Sequence, residues 1–183
     1  LDLGVKTSIR KALLSLGCEV TIYPAFTSAD EILAGGHDGI VYSNGGGIPN
    51  ECAKIIETIK IINQNKLPSF GIDLGHILMA LASGAQFSKL KHGHHGANQP
   101  VKCISCGKTY VTTQNHNYIV SAENLPDCVE ISHINGNDKS IEGLKYKNIP
   151  SMSIQFIPSV CGGPQNPALI YDEFLSMISK EVK

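Results

Sequence analysis

The stretch LPSFGIDLGHILMALASGA, Leu67 to Ala85, decides the fold. It reads as an apolar strand, a Gly-x-Asp-x-Gly corner and an apolar-periodic helix. A Gly-x-nucleophile-x-Gly corner forces its central residue into a strained conformation and projects that side chain above the sheet, with flanking glycines clearing room. Gly71, Asp73 and Gly75 have that spacing. Aspartate is among the few residues besides glycine that tolerate positive φ. Its carboxylate would lie at the amino end of a helix starting at Leu74, where free amides and the helix dipole stabilise an anion. Backbone and charge both accept Asp73, but the chemistry does not. A carboxylate attacking a primary amide must form a high-energy anhydride and expel ammonia, which requires a positioned acid. Taken alone, the stretch also reads as an aspartate capping a helix after a strand.

Upstream, Val5, Ile9, Ala12, Leu13 and Leu16 share one helical face, and Gly17 ends that helix. CEVTIYP from Cys18 reads as a strand, TSADEIL as a short helix capped by Thr27 or Ser28, and DGIVYSN as a buried strand ending in a glycine loop. Pro49 suits the first position of the next helix, whose apolar face is read as Ala53, Ile56, Ile59 and, a turn on, Ile61 and Ile62. This alternation predicts right-handed βαβ units and a mostly parallel sheet flanked by helices. After Ala85 the texture changes to short strands with turn residues in HGHHGANQP, ENLPD and INGND, before a last helix near Pro167 to Ser179. The fold class is therefore α/β, a flavodoxin-like sheet with a small antiparallel appendage.

With 183 residues, 42% hydrophobic and 17% charged, the chain suits one domain with a substantial core. A formal charge of −1 gives no electrostatic reason to expect nucleic acid or a membrane surface as partner. No run approaches bilayer-spanning length and no basic-then-apolar leader opens the chain, so a cytoplasmic protein is expected. Six scattered cysteines fit reduced intracellular usage better than a disulfide scaffold. The opening LDLG reads as the end of a strand whose beginning is cut away, or equally as a short edge strand.

Seven segments then occur in order: DLGVKTSIRKALLSLGCEVTIYPA, SNGGGIPN, FGIDLGHILMALASGA, KLKHGHHGANQPV, TTQNHNYIV, HINGND and QFIPSVCGGPQNP. Together they closely resemble the class I glutamine amidotransferase domain of the carbamoyl phosphate synthase small chain. GHHGANQPV and QNH distinguish this branch. The resemblance covers nearly all of residues 1–183, and it implies that the family's further amino-terminal domain lies ahead of this one. In working members the corner carries a cysteine, and a QFHPE-like strand end supplies a histidine base and the glutamate that orients it. Aligned here, those three positions hold Asp73, Ile157 and Ser159. A Cys-His pair works because the imidazole holds the thiol as thiolate and then returns a proton to the leaving ammonia. Ile157 does neither.

The resemblance implies a glutamine pocket that is half kept. The family's oxyanion donors are the backbone amides of Gly45 and Leu74, which need no particular side chain. Gly47 and Asn115 also match family glutamine contacts. Against them, the family's glutamine after the corner is Ile77, and its Gly-Phe after QNH is Asn117 and Tyr118. An unpaired buried amide costs about 1 to 3 kcal/mol, so glutamine is expected to be at most a weak ligand. The implied function is a catalytically defective amidotransferase domain that docks on a carbamoyl phosphate synthase large chain using free ammonia. A working glutaminase, or a ligand- or metal-binding module on the same scaffold, are the competing readings.

Other constellations compete for a role. His92, His94 and His95 with Cys103 and Cys106 invite a zinc reading, since Cys-x-x-Cys in a hairpin is half a zinc ribbon. A lone pair is a weak signal and the plain reading is a polar loop and a turn, so no metal and no cofactor are expected. Cys161, four residues beyond Ile157, and His116 of QNH are a minimal thiol and imidazole for acyl transfer, yet nothing places Cys161 at a strained corner. Gly45 to Gly47 lack the Lys-Ser/Thr continuation of a phosphate loop.

Overall fold

The computed structural model describes residues 1–158 and 169–181. Three short apolar strands form its centre: β1 (Ile40–Tyr42), β2 (Ser69–Ile72) and β7 (Ser151–Ile154). β1 runs parallel to β2 and β2 parallel to β7, with Phe70 opposite Met152. Every residue of β2 and β7 is buried, as expected for strands covered on both faces. α2 (Ala29–Ala34), α3 (Ala53–Gln64) and α4 (Leu74–Ala82) pack Ile32, Ile59, Ile62 and Leu78 into one apolar cluster. α1 (Thr7–Ser15) and α5 (Leu169–Glu181) pack Ile9, Leu13, Tyr171 and Phe174 into a second cluster with Phe70, Ile72 and Ile154. The parallel core flanked by helices is the expected architecture.

Beyond β7 the same sheet continues antiparallel through β6 (Ile141–Tyr146), β5 (Val129–Asn135), β3 (Phe87–Cys103) and β4 (Thr109–Val120). This continuation holds more strands than the parallel core. HGHHGANQP, read as a turn-rich loop, lies inside the 17-residue β3. Its glycines act as kinks within a strand: register shifts fall between Lys89 and His94 and between Gly96 and Gln99, with Gly93 at φ +65° and Gly96 at φ +140°.

Local expectations met mixed outcomes. Ser28 Oγ accepts the Glu31 N–H at 3.3 Å and caps α2. Pro49 opens a 3-10 turn, Pro49–Cys52, that leads into α3. The buried stripe of α3 is Ile55, Thr58, Ile59 and Ile62, so Ala53 lies outside it and Ile56 at its margin. Leu16 is exposed beyond the end of α1. CEVTIYP forms no ladder, because its backbone contact to the sheet side is one bridge, the Asp2 N–H donating to Tyr23 O at 2.8 Å. A cavity of about 630 Å³ separates that segment from β1, lined also by α1 and α5.

Candidate functional site

Asp73 follows β2 and precedes α4 with φ 56° and ψ −108°, the strained geometry the corner predicts. Main-chain bonds hold it there: its N–H donates to Ile154 O at 2.9 Å, and its carbonyl accepts His76 N–H at 3.1 Å. The glycines on either side allow close approach. A Cβ at Gly75 would fall on the Tyr42 carbonyl, and one at Gly71 would lie 2.7 Å from Gly75 O. Either contact would push α4 off the sheet.

The carboxyl does not cap α4 with its side chain. One oxygen, Oδ2, accepts the Gly45 N–H at 3.4 Å, and Oδ1 accepts the Gln155 Nε2–H at 3.3 Å. Asp73 therefore engages Gly45, one of the two amides that the resemblance assigns to an oxyanion. Burial pushes its pKa up to about 7, opposed in turn by the Gly45 amide, the Leu74 amide, Lys6 and Gln155.

The donor loop is clamped from outside. Ser43 Oγ accepts Leu3 N–H at 2.9 Å, and Asn44 Oδ1 accepts Lys6 N–H at 2.9 Å. Gly45 packs so tightly that a Cβ would strike the Leu3 carbonyl, whereas Gly47, at φ +137°, faces open space. Ile157 lies beside β4, its N–H donating to Thr113 O at 3.0 Å, with its side chain buried in the second apolar cluster. Asn115 stands two residues along β4, but its Oδ1 contacts His95 Nδ1 at 2.8 Å. Ile77 is buried in the first cluster, and Tyr118 packs edge-on against Phe87 at 5.7 Å. Ser159 and Cys161 lie outside the described residues.

The structure thus brings the Gly45 amide to the Asp73 carboxyl, while Leu74 opens α4 beside it and Asn115 bonds elsewhere. Gln155 and Lys6 are the contributors that sequence reasoning missed. Gln155 had little signal, because the strand it ends, Ser151–Ile154, already carries two serines. Lys6 had none, because its approach depends on how the loop at Asn44 folds back. Among the described residues, no thiol or imidazole bonds the Asp73 carboxyl.

The histidines and cysteines weighed together for zinc separate. Cys103 and Cys106 flank the β3–β4 turn, where Cys106 N–H points to Cys103 Sγ at 3.4 Å. His95 contacts Asn115, and His94 Nε2 contacts Asp138 Oδ2 at 2.8 Å. His94 meets His116 and Glu142 instead, with one ligand atom from each all within 4.8 Å of one another.

A carboxyl with a pKa near 7 makes stability depend on pH. Between 3.8 and about 7 the folded chain keeps a proton on Asp73 that the unfolded chain has released. Its contribution is therefore full below pH 3.8 and is lost as pH rises through about 7. Urea unfolding of the wild type and Asp73→Asn across this range isolates the effect. The stability difference is expected to move steadily against the wild type with rising pH and then level off; a flat difference contradicts the assignment.

With this geometry in hand, comparison with known proteins identifies the class. The class-I glutamine amidotransferase family matches residues 1–177. The chain belongs to that family. Within it, the chain is 41% identical over 180 residues to the carbamoyl phosphate synthase small chain of Symbiobacterium thermophilum, covering 98% of this chain and 50% of that protein. It is 44% identical over 177 residues to the protein of the same name from Lactococcus lactis subsp. lactis, covering 97% and 49%. The chain thus spans about half the length of these curated relatives. A solved structure of a putative GMP synthase subunit from Thermoplasma acidophilum superposes with a TM-score of 0.84. It is 24% identical and the match covers 100% of this chain and 93% of that one, a likeness that bears on fold alone.

Proposed function

We propose that this chain is the amidotransferase domain of a carbamoyl phosphate synthase small chain that no longer hydrolyses glutamine and serves as a docking subunit for an ammonia-using synthetase large chain. One observation carries the reading: the corner presents a carboxyl that bonds the Gly45 amide itself. A substrate oxyanion needs that donor free, and removing one such donor from a hydrolase costs on the order of 10²–10³ in turnover. Ile157, at the position of the base, is a buried hydrocarbon and offers no proton. Gly45, Gly47, Leu74 and Asn115 are then vestiges of a glutamine pocket. Among the described residues, no helix is long and apolar enough to cross a membrane.

The test is reconstitution with a carbamoyl phosphate synthase large chain. A stoichiometric complex is expected, making carbamoyl phosphate from ammonium with glutamine adding nothing. Failure to form a complex, or stimulation by glutamine, overturns the proposal.

A further inference from the structure

β3, β4 and β6 curl so that three side chains the amidotransferase reading does not use converge. His94 and His116 are a directly opposed cross-strand pair, their rings 5.0 Å apart and nearly perpendicular. Glu142, fully buried, sets its Oε1 3.4 Å from His94 Nδ1. The outward-facing nitrogens are already committed. His94 Nε2 contacts the Asp138 carboxylate at 2.8 Å, and His116 Nδ1 contacts the Tyr118 carbonyl at 3.0 Å. A carboxylate or backbone carbonyl on the far ring nitrogen is the arrangement that fixes the tautomer of a metal-ligating histidine.

With His116 neutral, proton counting leaves one contact at the centre without a proton. A neutral imidazole has one N–H, and at His116 the Tyr118 carbonyl takes it. His116 Nε2 then turns a lone pair toward Gln114 Oε1 at 3.0 Å, acceptor against acceptor. Flipping Gln114 does not help, because its amide nitrogen serves Glu142 Oε2 at 2.9 Å and Thr112 Oγ1 at 3.1 Å. His94 Nδ1 is buried without a hydrogen bond, and Glu142 Oε1 faces it at 3.4 Å, an ion-pair distance. A proton on His94, paired with Glu142 and Asp138, answers part of this need. That proton leaves the contact between His116 and Gln114 unrelieved.

We infer that His94 Nδ1, His116 Nε2 and Glu142 form a binding site for a divalent transition-metal ion of the zinc type. A cation accepts all the converging lone pairs at once. Two imidazoles and a carboxylate suit zinc better than the oxygen-seeking calcium or magnesium. Charge balances too, since the carboxylates of Glu142 and Asp138 together match a dication. Zinc bonds of about 2.0–2.2 Å put tetrahedral ligands roughly 3.3 Å apart. The 3.4 Å from His94 Nδ1 to Glu142 already meets that spacing, and the His116 ligand atom lies within 4.8 Å of both. Gln114 Oε1 or a water completes four. The site is distinct from the Asp73 carboxyl, though Gln155 links them, its N–H donating to Glu142 O at 2.9 Å and its Nε2 to Asp73 Oδ1 at 3.3 Å, and it does not rest on the docking proposal.

The test uses the whole chain, stripped with chelator and dialysed against Zn²⁺. One equivalent is expected to bind. The Co²⁺ form is expected to show four-coordinate d–d bands without a thiolate charge-transfer band. His94→Asn should weaken Zn²⁺ at least 100-fold and Asp138→Asn about 10–100-fold. A Cys103→Ser, Cys106→Ser double variant should bind as the wild type does. No stoichiometric metal, an unaltered affinity in a folded His94→Asn protein, or a thiolate band lost with the cysteines overturns the inference. Because the cobalt spectrum is read on the wild type, the test survives if a variant fails to fold.

Discussion

Incubated with glutamine, the purified chain is expected to release no ammonia above the buffer rate. Loss of a whole triad in a hydrolase lowers turnover on the order of 10⁶-fold, about 8 kcal/mol of barrier. Here the donor at Gly45 is also engaged by Asp73. A coupled ammonia assay measures this directly, and turnover at an ordinary enzymatic rate ends the docking proposal. The scaffold predicts a converse result. A glutamine-analogue electrophile should leave the corner of the wild-type chain unlabelled, yet add to the corner in Asp73→Cys, because a thiol at a helix amino terminus is partly ionised. Adding Ile157→His and Ser159→Glu should then yield slow hydrolysis, held back by Ile77 and Tyr118. If the triple variant labels but does not turn over, the deficit lies in the pocket. If Asp73→Cys does not label at all, the corner does not present its side chain as described.

Phe70→Ala is expected to destabilise the fold by about 3–5 kcal/mol, a large share of a domain's stability. Phe70 lies in β2 with no exposure, one strand residue from the corner region. Its ring meets Tyr171 edge-on at 5.9 Å and Phe174 at 5.4 Å, so it fastens α5 to the parallel strands. Truncation leaves a cavity that the flanking strands cannot fill, since β1 and β7 fix β2 from both sides. Denaturant unfolding followed by circular dichroism measures the loss. A change below about 1 kcal/mol would show that α5 contributes little to the core.

The corner was legible because its signal is local. Gly71, Asp73 and Gly75 encode a backbone bend and the room for it, and the structure places Asp73 at φ 56° accordingly. Non-local facts were not legible. Residues Cys18 to Pro24 alternate as a strand should, yet a ladder needs a neighbour in register, and sequence cannot supply that. HGHHGANQP has the composition of a loop but becomes strand, because β4 offers a full-length partner and the glycines absorb the register shifts. The buried stripe of α3 is offset from the predicted one because Thr58 turns inward alongside Ile55. At the site, the closeness of Gly45 to the corner was legible through its place in the motif. Gln155 was overlooked because a side chain's reach across strands leaves no mark in the residue order. The same holds for His94, His116 and Glu142, which come from three strands separated by long stretches of chain.

The bend at Asp73 costs an aspartate on the order of 1–3 kcal/mol, and nothing in that side chain demands it. Its shape is dictated from behind, by the grip of Ile154 on the Asp73 amide and by the close seat of Gly75 on Tyr42. On the reading proposed above, the fold behaves as a fixture whose tool has been exchanged: the mount keeps its angle whatever it holds. Lineages that lose a reaction can in this way conserve an architecture, and the way back to chemistry runs through side chains alone.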